Sequence, residues 1–176
     1  EWTAGGHIDI VVAPEFLRQY SLAGDPADRS KYVIGVLRED GGKGGSLLLH
    51  RIFSEGRKIF ISKPINHFPV AETTGKHWLM GGGIGVTPMI AMAHELHAQG
   101  RDFALHYSFS KRVGAGFLAE LADVPWKDNI HFYCSEEGTR ADLTTLLAAY
   151  APGDHVYTCG PDAYMQSVMD AASALP

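Results

Sequence analysis

The feature that most constrains the fold is a short apolar strand that runs into a glycine-rich turn and then into a helix. The strand is His77 to Met80, and the turn from Gly81 to Pro88 contains four glycines. Apolar residues recur at helical spacing after it, and we expect the helix to end near Gln99. Thr87 is the expected N-cap and Pro88 the first helical residue. This order of elements is typical of a parallel α/β sheet.

Strand and helix alternate along the rest of the second half, which predicts a parallel sheet with helices on both faces. Further strands are expected at 103–109, 130–134 and 155–158. Further helices are expected at 116–121, from 139 or 142 to 149, and at 161–174. This α/β unit takes residues 73–176, with its boundary near 72–75.

The first half has the alternating, β-branched pattern of an antiparallel sheet. Strands are predicted at 7–12, 19–23, 31–38 and 58–61, with a short helix at about 46–53. We predict an antiparallel β-barrel over residues 1–72. Four or five strands are too few to close a barrel comfortably, and the chain opens within the run Ala4-Gly5-Gly6-His7. We therefore expect an incomplete barrel in a fragment of a longer protein.

Charge and composition exclude several classes of function. The net charge of -5 leaves no basic field for nucleic acid. No apolar run approaches the ~20 residues that cross a bilayer, and the first residues lack the pattern of a signal peptide, so we expect a cytoplasmic protein without a membrane partner. The two cysteines, Cys134 and Cys159, lack C-x-x-C spacing, which argues against a metal or iron–sulfur site within this chain.

A cation, an aromatic ring and a hydroxyl stand together in Arg18-Gln19-Tyr20-Ser21. Arginine binds phosphate bidentately, and a tyrosine ring packs against another planar ring. Ser21 could place its hydroxyl or its N–H near the redox nitrogen of a flavin. The motif suits a planar, phosphorylated cofactor, but by itself it also fits an ordinary strand with an exposed arginine and a buried tyrosine.

Two glycine-rich segments that open helices suit phosphate groups. Gly44-Gly45-Ser46 offers an anion backbone N–H groups, a helix N-terminus and a hydroxyl, but it fits an ordinary turn equally well. The turn from Gly81 to Pro88 lies where nucleotides bind in α/β sheets, and Thr87 could cap the helix and reach a pyrophosphate oxygen. It is not G-x-G-x-x-G, because Val86 stands third after Gly83. The alternative is a strand–helix turn tightened for packing.

Three further segments carry weaker signals. Cys159-Gly160-Pro161 ends the last predicted strand beside the glycine turn, where a compact thiol could pack against a nicotinamide ring or simply be buried. Ser110-Lys111-Arg112 follows another sheet strand, where two cations could hold a 2′-phosphate or be solvated. His94 and His97 lack a third metal ligand, so we expect a solvated helix face there.

These segments, in this order, resemble the ferredoxin–NADP reductase superfamily over essentially the whole chain. They most closely resemble the reductases of Rieske oxygenase systems, the phthalate dioxygenase reductase and vanillate demethylase reductase group. The Arg-x-Tyr-Ser motif marks the superfamily, and Asn66-His67-Phe68-Pro69 with the Gly-Gly-Ser turn indicates the narrower group. The matching segments are Ala4 to Ile10, Arg18 to Leu22, Gly42 to Ser46, Pro64 to Pro69, Gly81 to Met89 and Cys159 to Pro161.

The resemblance implies a flavin-binding barrel followed by an NAD(P)-binding α/β unit. It places Arg18 and Ser46 at the FMN phosphate, Tyr20 and Ser21 at the isoalloxazine, and Cys159 at the nicotinamide. Ser21 and Cys159 are therefore the expected catalytic residues. The residues it implies for cofactor binding are Arg18, Gln19, Tyr20, Ser21, Gly44, Gly45, Ser46, Gly83, Gly85, Thr87, Pro88, Ser110, Cys159, Gly160 and Pro161.

The implied activity is hydride transfer from NADH to FMN, followed by release of single electrons to an iron–sulfur acceptor that serves a Rieske-type oxygenase. FMN is expected over FAD, and NADH over NADPH. The group usually carries a [2Fe-2S] domain after the NAD domain, and the chain stops before one at Ala174-Leu175-Pro176. We expect the cluster only in a missing domain, and a monomer that meets a terminal oxygenase or a ferredoxin. The alternatives are the reductase module of another flavin system, such as a flavohemoprotein-like or free flavin reductase, and a non-catalytic nucleotide-binding module.

Overall fold

The computed structural model describes residues 1–14, 16–39, 41 and 44–175. Two sheets are present in this part of the chain: an antiparallel sheet in the first half and a parallel sheet in the second. The predicted fold class, an incomplete antiparallel barrel followed by a parallel α/β sheet, is confirmed. Gly42 and Lys43 of the predicted phosphate segment, and Pro176, lie outside the described residues.

The antiparallel sheet is built around one central strand. β1 pairs with β2 over most of its length and with β3 and β4 on its other side. Alternation along β1 turns Ile8, Ile10 and Val12 inward, where they pack with Leu49 of the short helix α1. The elements of this half are β1 (Gly6–Ala13), β2 (Phe16–Ser21), α1 (Gly45–Ile52), β3 (Phe60–Ile61) and β4 (Ile65–Asn66).

The predicted strand at 31–38 is wrong. This segment makes an isolated bridge between Leu22 and Ile34, and Ala23 N donates to Val33 O at 2.8 Å. Alternation gives a segment the propensity to be a strand, but a strand also needs a continuous ladder with a neighbour, and the described residues supply none. The predicted strand 19–23 lies earlier, as β2, and only the last part of 58–61 forms β3.

The parallel sheet has the strand order β7-β6-β5-β8, and every pair is parallel. Its strands therefore end at one edge, where loops and helix N-termini gather. The predicted strands agree with the observed ones within two residues. The elements of this half are β5 (His77–Gly82), α2 (Val86–Ala98), β6 (Phe103–Phe109), α3 (Leu118–Ala122), β7 (Ile130–Cys134), α4 (Leu143–Leu147), β8 (His155–Cys159) and α5 (Asp162–Ala172).

Helices cover both faces of the parallel sheet, as predicted. α2 lies on one face, where Met89 packs with Leu79 and Leu105. α4 and α5 lie on the other face, where Leu147 packs with Met80. None of the helices in the described part of the chain has the length and apolar character needed to span a bilayer.

The start of α2 differs from the prediction. Gly85 is the N-cap and Val86 the first helical residue, so the expected N-cap Thr87 and first residue Pro88 are wrong. The preceding Gly83–Gly85 turn is a 3₁₀ turn, and the α-helix continues directly from it. Thr87 therefore lies within the first turn of α2, where its hydroxyl donates to Ile84 O at 2.9 Å instead of capping the helix.

Asp154 stabilises the edge of the parallel sheet at which β5 and β8 begin. Its carboxylate accepts hydrogen bonds from Lys76 N at 2.8 Å, Trp78 Nε1 at 3.0 Å and Ala151 N at 3.0 Å. Burial raises the pKa of this carboxyl, but the three hydrogen bonds and the charge of Lys76 together outweigh burial and hold the pKa below its ordinary value of 3.8. Because the folded pKa is lowered, the ionised carboxylate stabilises the fold above pH 3.8, and this contribution is lost as the pH falls through the folded pKa.

We expect Asp154→Ala to lower the free energy of unfolding at pH 7 by about 2 kcal/mol, because three donors lose a charged acceptor. Urea denaturation followed by circular dichroism measures this change. Asp128→Asn, an exposed carboxylate in the same half, is the control and should stay within about 0.5 kcal/mol of the original chain. A deficit in Asp154→Ala that stays the same down to about pH 2 would contradict the role of the ionised carboxylate.

Candidate functional site

A cleft of about 620 Å³ lies between the antiparallel sheet and the edge of the parallel sheet at which its strands end. It brings together nine of the predicted site residues, which come from β2, α1, the glycine turn, α2 and β8. Ser46 and Cys159, which are 113 positions apart in the chain, thus line the same cavity. The nine are Arg18, Gln19, Tyr20, Ser21, Gly45, Ser46, Gly85, Thr87 and Cys159.

One corner of this cleft is suited to an anion. A methyl group on Gly45 would lie 2.6 Å from Arg18 Nε and 2.9 Å from Arg18 Nη2, so glycine leaves the space that the guanidinium occupies. Arg18 Nη1 donates to Leu17 O at 2.9 Å, and no carboxylate among the described residues pairs with the guanidinium. Gly44, with φ +85°, is the N-cap of α1 and provides no side-chain acceptor for the first N–H groups of the helix. Donors from a side chain and from a helix N-terminus therefore converge at this corner.

Ser46 completes this corner. Its hydroxyl oxygen accepts the Glu39 N–H at 3.2 Å, and the hydroxyl proton has no acceptor among the residues that the structure describes. The predicted alternative, in which Ser46 caps its own helix, is not observed, because α1 has no side-chain cap. Gly44 supports the turn but does not line the cleft.

Tyr20 and Arg18 lie on one face of β2. Both side chains are half-buried, so the simple alternative of an exposed arginine and a buried tyrosine does not hold. Burial raises the pKa of the Tyr20 hydroxyl, Arg18 lowers it, and Glu39 raises it further. The ring is therefore neutral in a half-apolar wall that can receive a planar ligand. Ser21 ends β2 within the same wall, and the Gln19 side chain donates to Asp9 Oδ1 at 3.2 Å.

A second cleft of about 750 Å³ lies where β5, β6 and β8 end. It brings together Gly83, Gly85, Ser110, Cys159, Gly160 and Pro161 of the predicted site residues. Pro88, in contrast, is buried within α2 and lines neither cleft. The walls are largely apolar, and the glycine turn presents the uncapped N-terminus of a 13-residue helix. This arrangement suits a flat ligand with an anionic middle.

The two clefts meet at the glycine turn. Gly85 and Cys159 line both clefts, and a methyl group on Gly85 would lie 2.3 Å from Cys159 O. The turn and the end of β8 therefore lie closer together than a side chain at position 85 would allow. Burial raises the pKa of the Cys159 thiol, while its hydrogen bond with the Gly160 backbone lowers it. The net effect is a raised pKa, which favours the neutral thiol over the thiolate.

Sequence reasoning missed several residues at the junction. Leu37, Glu39 and Ile84 line both clefts, and Gly35 lines the first. Two of these, Gly35 and Leu37, come from the segment 31–38 that was predicted to be an ordinary strand. Glycine at 35 within a β-branched run was the available signal, because glycine within a strand pattern often marks close backbone approach.

The loop after β6 carries two cations, and each is paired with a carboxylate that follows β7. Lys111 Nζ lies 3.5 Å from Glu136 Oε1, and Arg112 donates to Glu137 through Nε at 2.5 Å and Nη2 at 3.1 Å. The hydrogen bond from Arg112 holds the pKa of the Glu137 carboxyl below its ordinary value. Each cation is therefore paired with a carboxylate, and both side chains stay largely exposed to solvent.

The predicted solvated histidine face on α2 is only half correct. His97 is exposed, but His94 is half-buried with its Nδ1 accepting from Trp126 Nε1 at 3.4 Å. Burial lowers the pKa of the His94 imidazole, Asp25 raises it, and His97 lowers it. In the described part of the chain, no group of three potential ligands is arranged to hold a metal ion.

Comparison with known proteins gives clear relatives, although no protein-family model matches the chain. The tert-butanol monooxygenase / tert-amyl alcohol desaturase reductase subunit of Aquincola tertiaricarbonis is 39% identical over 178 aligned positions, which cover 100% of this chain and 53% of that protein. The vanillate O-demethylase oxidoreductase of Pseudomonas sp. strain HR199 is 39% identical over 171 residues, covering 96% of this chain and 54% of that protein. The chain spans about half the length of the curated relatives it matches.

The same group appears among solved structures. Phthalate dioxygenase reductase superposes with a TM-score of 0.93 at 34% identity, over 99% of this chain and 56% of that one. Both the antiparallel sheet and the parallel sheet take part in a match of this coverage. The chain therefore belongs to the ferredoxin–NADP reductase superfamily, in the group of phthalate dioxygenase reductase and vanillate O-demethylase oxidoreductase.

Proposed function

We propose that the chain is the flavin- and nucleotide-binding part of an NADH-dependent oxidoreductase that supplies electrons to an oxygenase. The observation that carries the proposal is the meeting of two clefts at Gly85 and Cys159, with an anion-binding corner at Arg18. One relative is named as a monooxygenase reductase subunit, and the solved relative is described as a modular structure for electron transfer from pyridine nucleotides to [2Fe-2S]. In this proposal residues 1–72 form the flavin unit and 73–176 the nucleotide unit.

The first cleft fits FMN. Arg18 would donate two parallel hydrogen bonds to the phosphate. The first N–H groups of α1 and the hydroxyl proton of Ser46 would donate to it as well. Tyr20 would pack against the isoalloxazine, and Ser21 would stand near its redox nitrogen. When bound, FMN can accept a hydride and release electrons singly. FMN is proposed over FAD because the described lining of the cleft has one corner of this kind and FMN has one phosphate.

The second cleft would hold the nucleotide. The Gly83–Gly85 turn and the N-terminus of α2 would face the pyrophosphate, and Cys159 would pack against the nicotinamide. The neutral thiol excludes water from the junction without offering a competing nucleophile. No side chain has to move a proton in a hydride step, so the contribution of the protein is to position the two rings.

We propose NADH as the preferred nucleotide, because the cations of the loop after β6 are already neutralised by carboxylates. Removing both carboxylate charges, Glu136→Gln with Glu137→Gln, would free Lys111 and Arg112 for a 2′-phosphate. The KM for NADPH is expected to fall about tenfold, while the KM for NADH stays within about twofold. Steady-state flavin-dependent ferricyanide reduction measures both values.

The control for this prediction removes two exposed carboxylates outside both clefts, Glu120→Gln with Asp128→Asn. It removes two negative charges, as the Glu136 and Glu137 variant does, and it should leave the ratio of the KM values for NADPH and NADH unchanged. If the ratio shifts as much in the control as in the Glu136 and Glu137 variant, net charge and not local pairing sets the preference.

The proposed acceptor of the electrons is an iron–sulfur centre that serves a Rieske-type oxygenase, either in the oxygenase itself or in a ferredoxin. This is supported by relatives named for oxidation of tert-butanol and demethylation of vanillate. The substrate of the oxygenase would be a small alcohol or an aromatic ether, as the chemistry of those names suggests. The substrate does not enter the clefts described above.

An anaerobic titration tests the proposal. The chain is reconstituted with FMN, and NADH and then NADPH are added while the visible flavin absorbance is followed. Bleaching by NADH at near-stoichiometric amounts is the expected result. A chain that binds NADH but takes up no FMN would instead be a non-catalytic nucleotide-binding module, and a chain that binds FMN but is bleached by neither nucleotide would contradict the assignment of the second cleft.

A further inference from the structure

Gly35 brings the two halves of the molecule into contact at the point where the clefts meet. A methyl group on its Cα would lie 2.8 Å from Ile84 Cδ1, from Phe117 Cε2 and from Thr87 Cγ2. All three atoms belong to the parallel-sheet half, whereas Gly35 belongs to the antiparallel half. The φ angle of Gly35 is not in the left-handed range, so glycine is required here for space and not for backbone conformation.

Two of the three residues that face Gly35 are constrained by their surroundings. Thr87 is 6% exposed, and the hydrogen bond from its hydroxyl to Ile84 O fixes the position of its methyl group. Phe117 has a positive φ of 65°, a strained value for a bulky residue, and packs against the core of the parallel sheet. The segment 31–38, in contrast, has no continuous ladder with its sheet: it is joined to the sheet by an isolated bridge at Ile34 and to α1 by a 3.1 Å contact between Val36 O and His50 Nε2. Extra bulk at Gly35 would therefore displace this segment.

This contact lies in the wall that the two clefts share. Gly35 lines the first cleft, Leu37 and Glu39 line both, and Ile84 lines both from the other half. A shift of the segment 35–39 would change the shape of the place where a flavin ring and a nicotinamide ring would face each other. Hydride transfer is sensitive to such shifts, since a misplacement of about 1 Å can cost roughly 100-fold in rate.

We propose that Gly35 is a positioning residue for hydride transfer. Because it lacks a side chain, the segment 35–39 can sit against Ile84, Thr87 and Phe117, and this contact sets the separation of the two bound rings. The inference rests on the proposed function and adds to it a residue that touches neither reacting atom.

The test compares two glycines under the same substitution. In Gly35→Ala, reduction of bound FMN by saturating NADH in anaerobic stopped flow is expected to slow at least about tenfold, with the Kd for FMN within about twofold. The long-wavelength absorbance of the stacked nicotinamide–flavin pair should weaken in parallel. Gly41→Ala is the matched control, because no atom of the described residues lies within 4 Å of the position of its methyl group, so it should behave as the original chain.

Hydrogen–deuterium exchange of the flavin-free chain provides a readout that does not depend on activity. In Gly35→Ala the exchange of residues 31–39 is expected to rise while that of α2 stays unchanged. If Gly35→Ala does not fold, Phe117→Leu removes one of the facing atoms from a residue that lines neither cleft, and it should slow reduction by severalfold with FMN affinity retained.

The outcomes separate the inference from the proposed function. An unchanged reduction rate in Gly35→Ala, or in Phe117→Leu where that variant is used, overturns the positioning role while the proposed function stands. A fall in FMN affinity that matches the fall in rate also overturns it, because it indicates a general loss of structure. If the original chain takes up no FMN, the proposed function fails, and unchanged exchange at 31–39 in Gly35→Ala then overturns the contact itself.

Discussion

Replacing Arg18 by alanine is expected to weaken FMN binding by about 3 kcal/mol, or roughly 100-fold in Kd. The guanidinium lies against Gly45 at the N-terminus of α1, and its one hydrogen bond within the described residues, to Leu17 O, leaves other N–H groups free. A phosphate there would receive a bidentate pair from the side chain and further donors from the helix. Quenching of FMN fluorescence during titration with the protein measures the Kd.

Two further variants make this prediction specific. Arg18→Lys keeps the charge but loses the planar fork, and it should recover part of the lost affinity. Arg57→Ala removes an exposed arginine that does not line the cleft, and it should leave the Kd within about twofold of the original. Equal losses in Arg18→Ala and Arg57→Ala would show that net charge, and not this corner, attracts the cofactor.

The parts of the site that could be predicted are those whose signal is local in the chain. Arg18 and Tyr20 stand two positions apart on a strand and therefore share a face. The glycine turn stands directly between a strand and a helix, and the parallel topology then places it at the same edge as Cys159. In these cases, spacing and element order were enough to bring the residues together.

The parts that could not be predicted depend on contacts between distant segments. The segment 31–38 alternates like a strand, but only the folded chain shows that it lacks a continuous partner and that its end forms a cleft wall. The sequence does not show that Lys111 and Arg112 are paired, because the two carboxylates beside them come from the loop after β7. Thr87 fits the residue preference of an N-cap, but the preceding 3₁₀ turn moves the start of the helix to Val86. Local preferences do not determine any of these outcomes.

Gly85→Ala is expected to destabilise the fold by about 3–4 kcal/mol and to abolish detectable NADH binding. A methyl group there would lie 2.3 Å from Cys159 O, 2.4 Å from Cys159 C and 2.5 Å from Gly160 N. These are backbone atoms at the end of β8, which is paired with β5, so they cannot move aside as a flexible side chain could. Either the end of β8 or the glycine turn must shift, and both line the two clefts. Chemical denaturation and an NADH binding titration measure the two effects.

Gly83→Ala, two positions earlier in the same turn, distinguishes the effect of a steric clash from the effect of backbone strain. Gly83 has a φ of +54°, and within the described part of the chain no atom lies within 4 Å of the position of an added methyl group. We expect this variant to lose only about 1 kcal/mol of stability, the cost of a left-handed conformation for alanine, and to keep most of its NADH affinity. If Gly85→Ala were no more damaging than Gly83→Ala, the close contact between the turn and Cys159 would not be what holds the two clefts together. A large difference between the two variants would show that the junction depends on the approach of two backbones, which glycine alone permits.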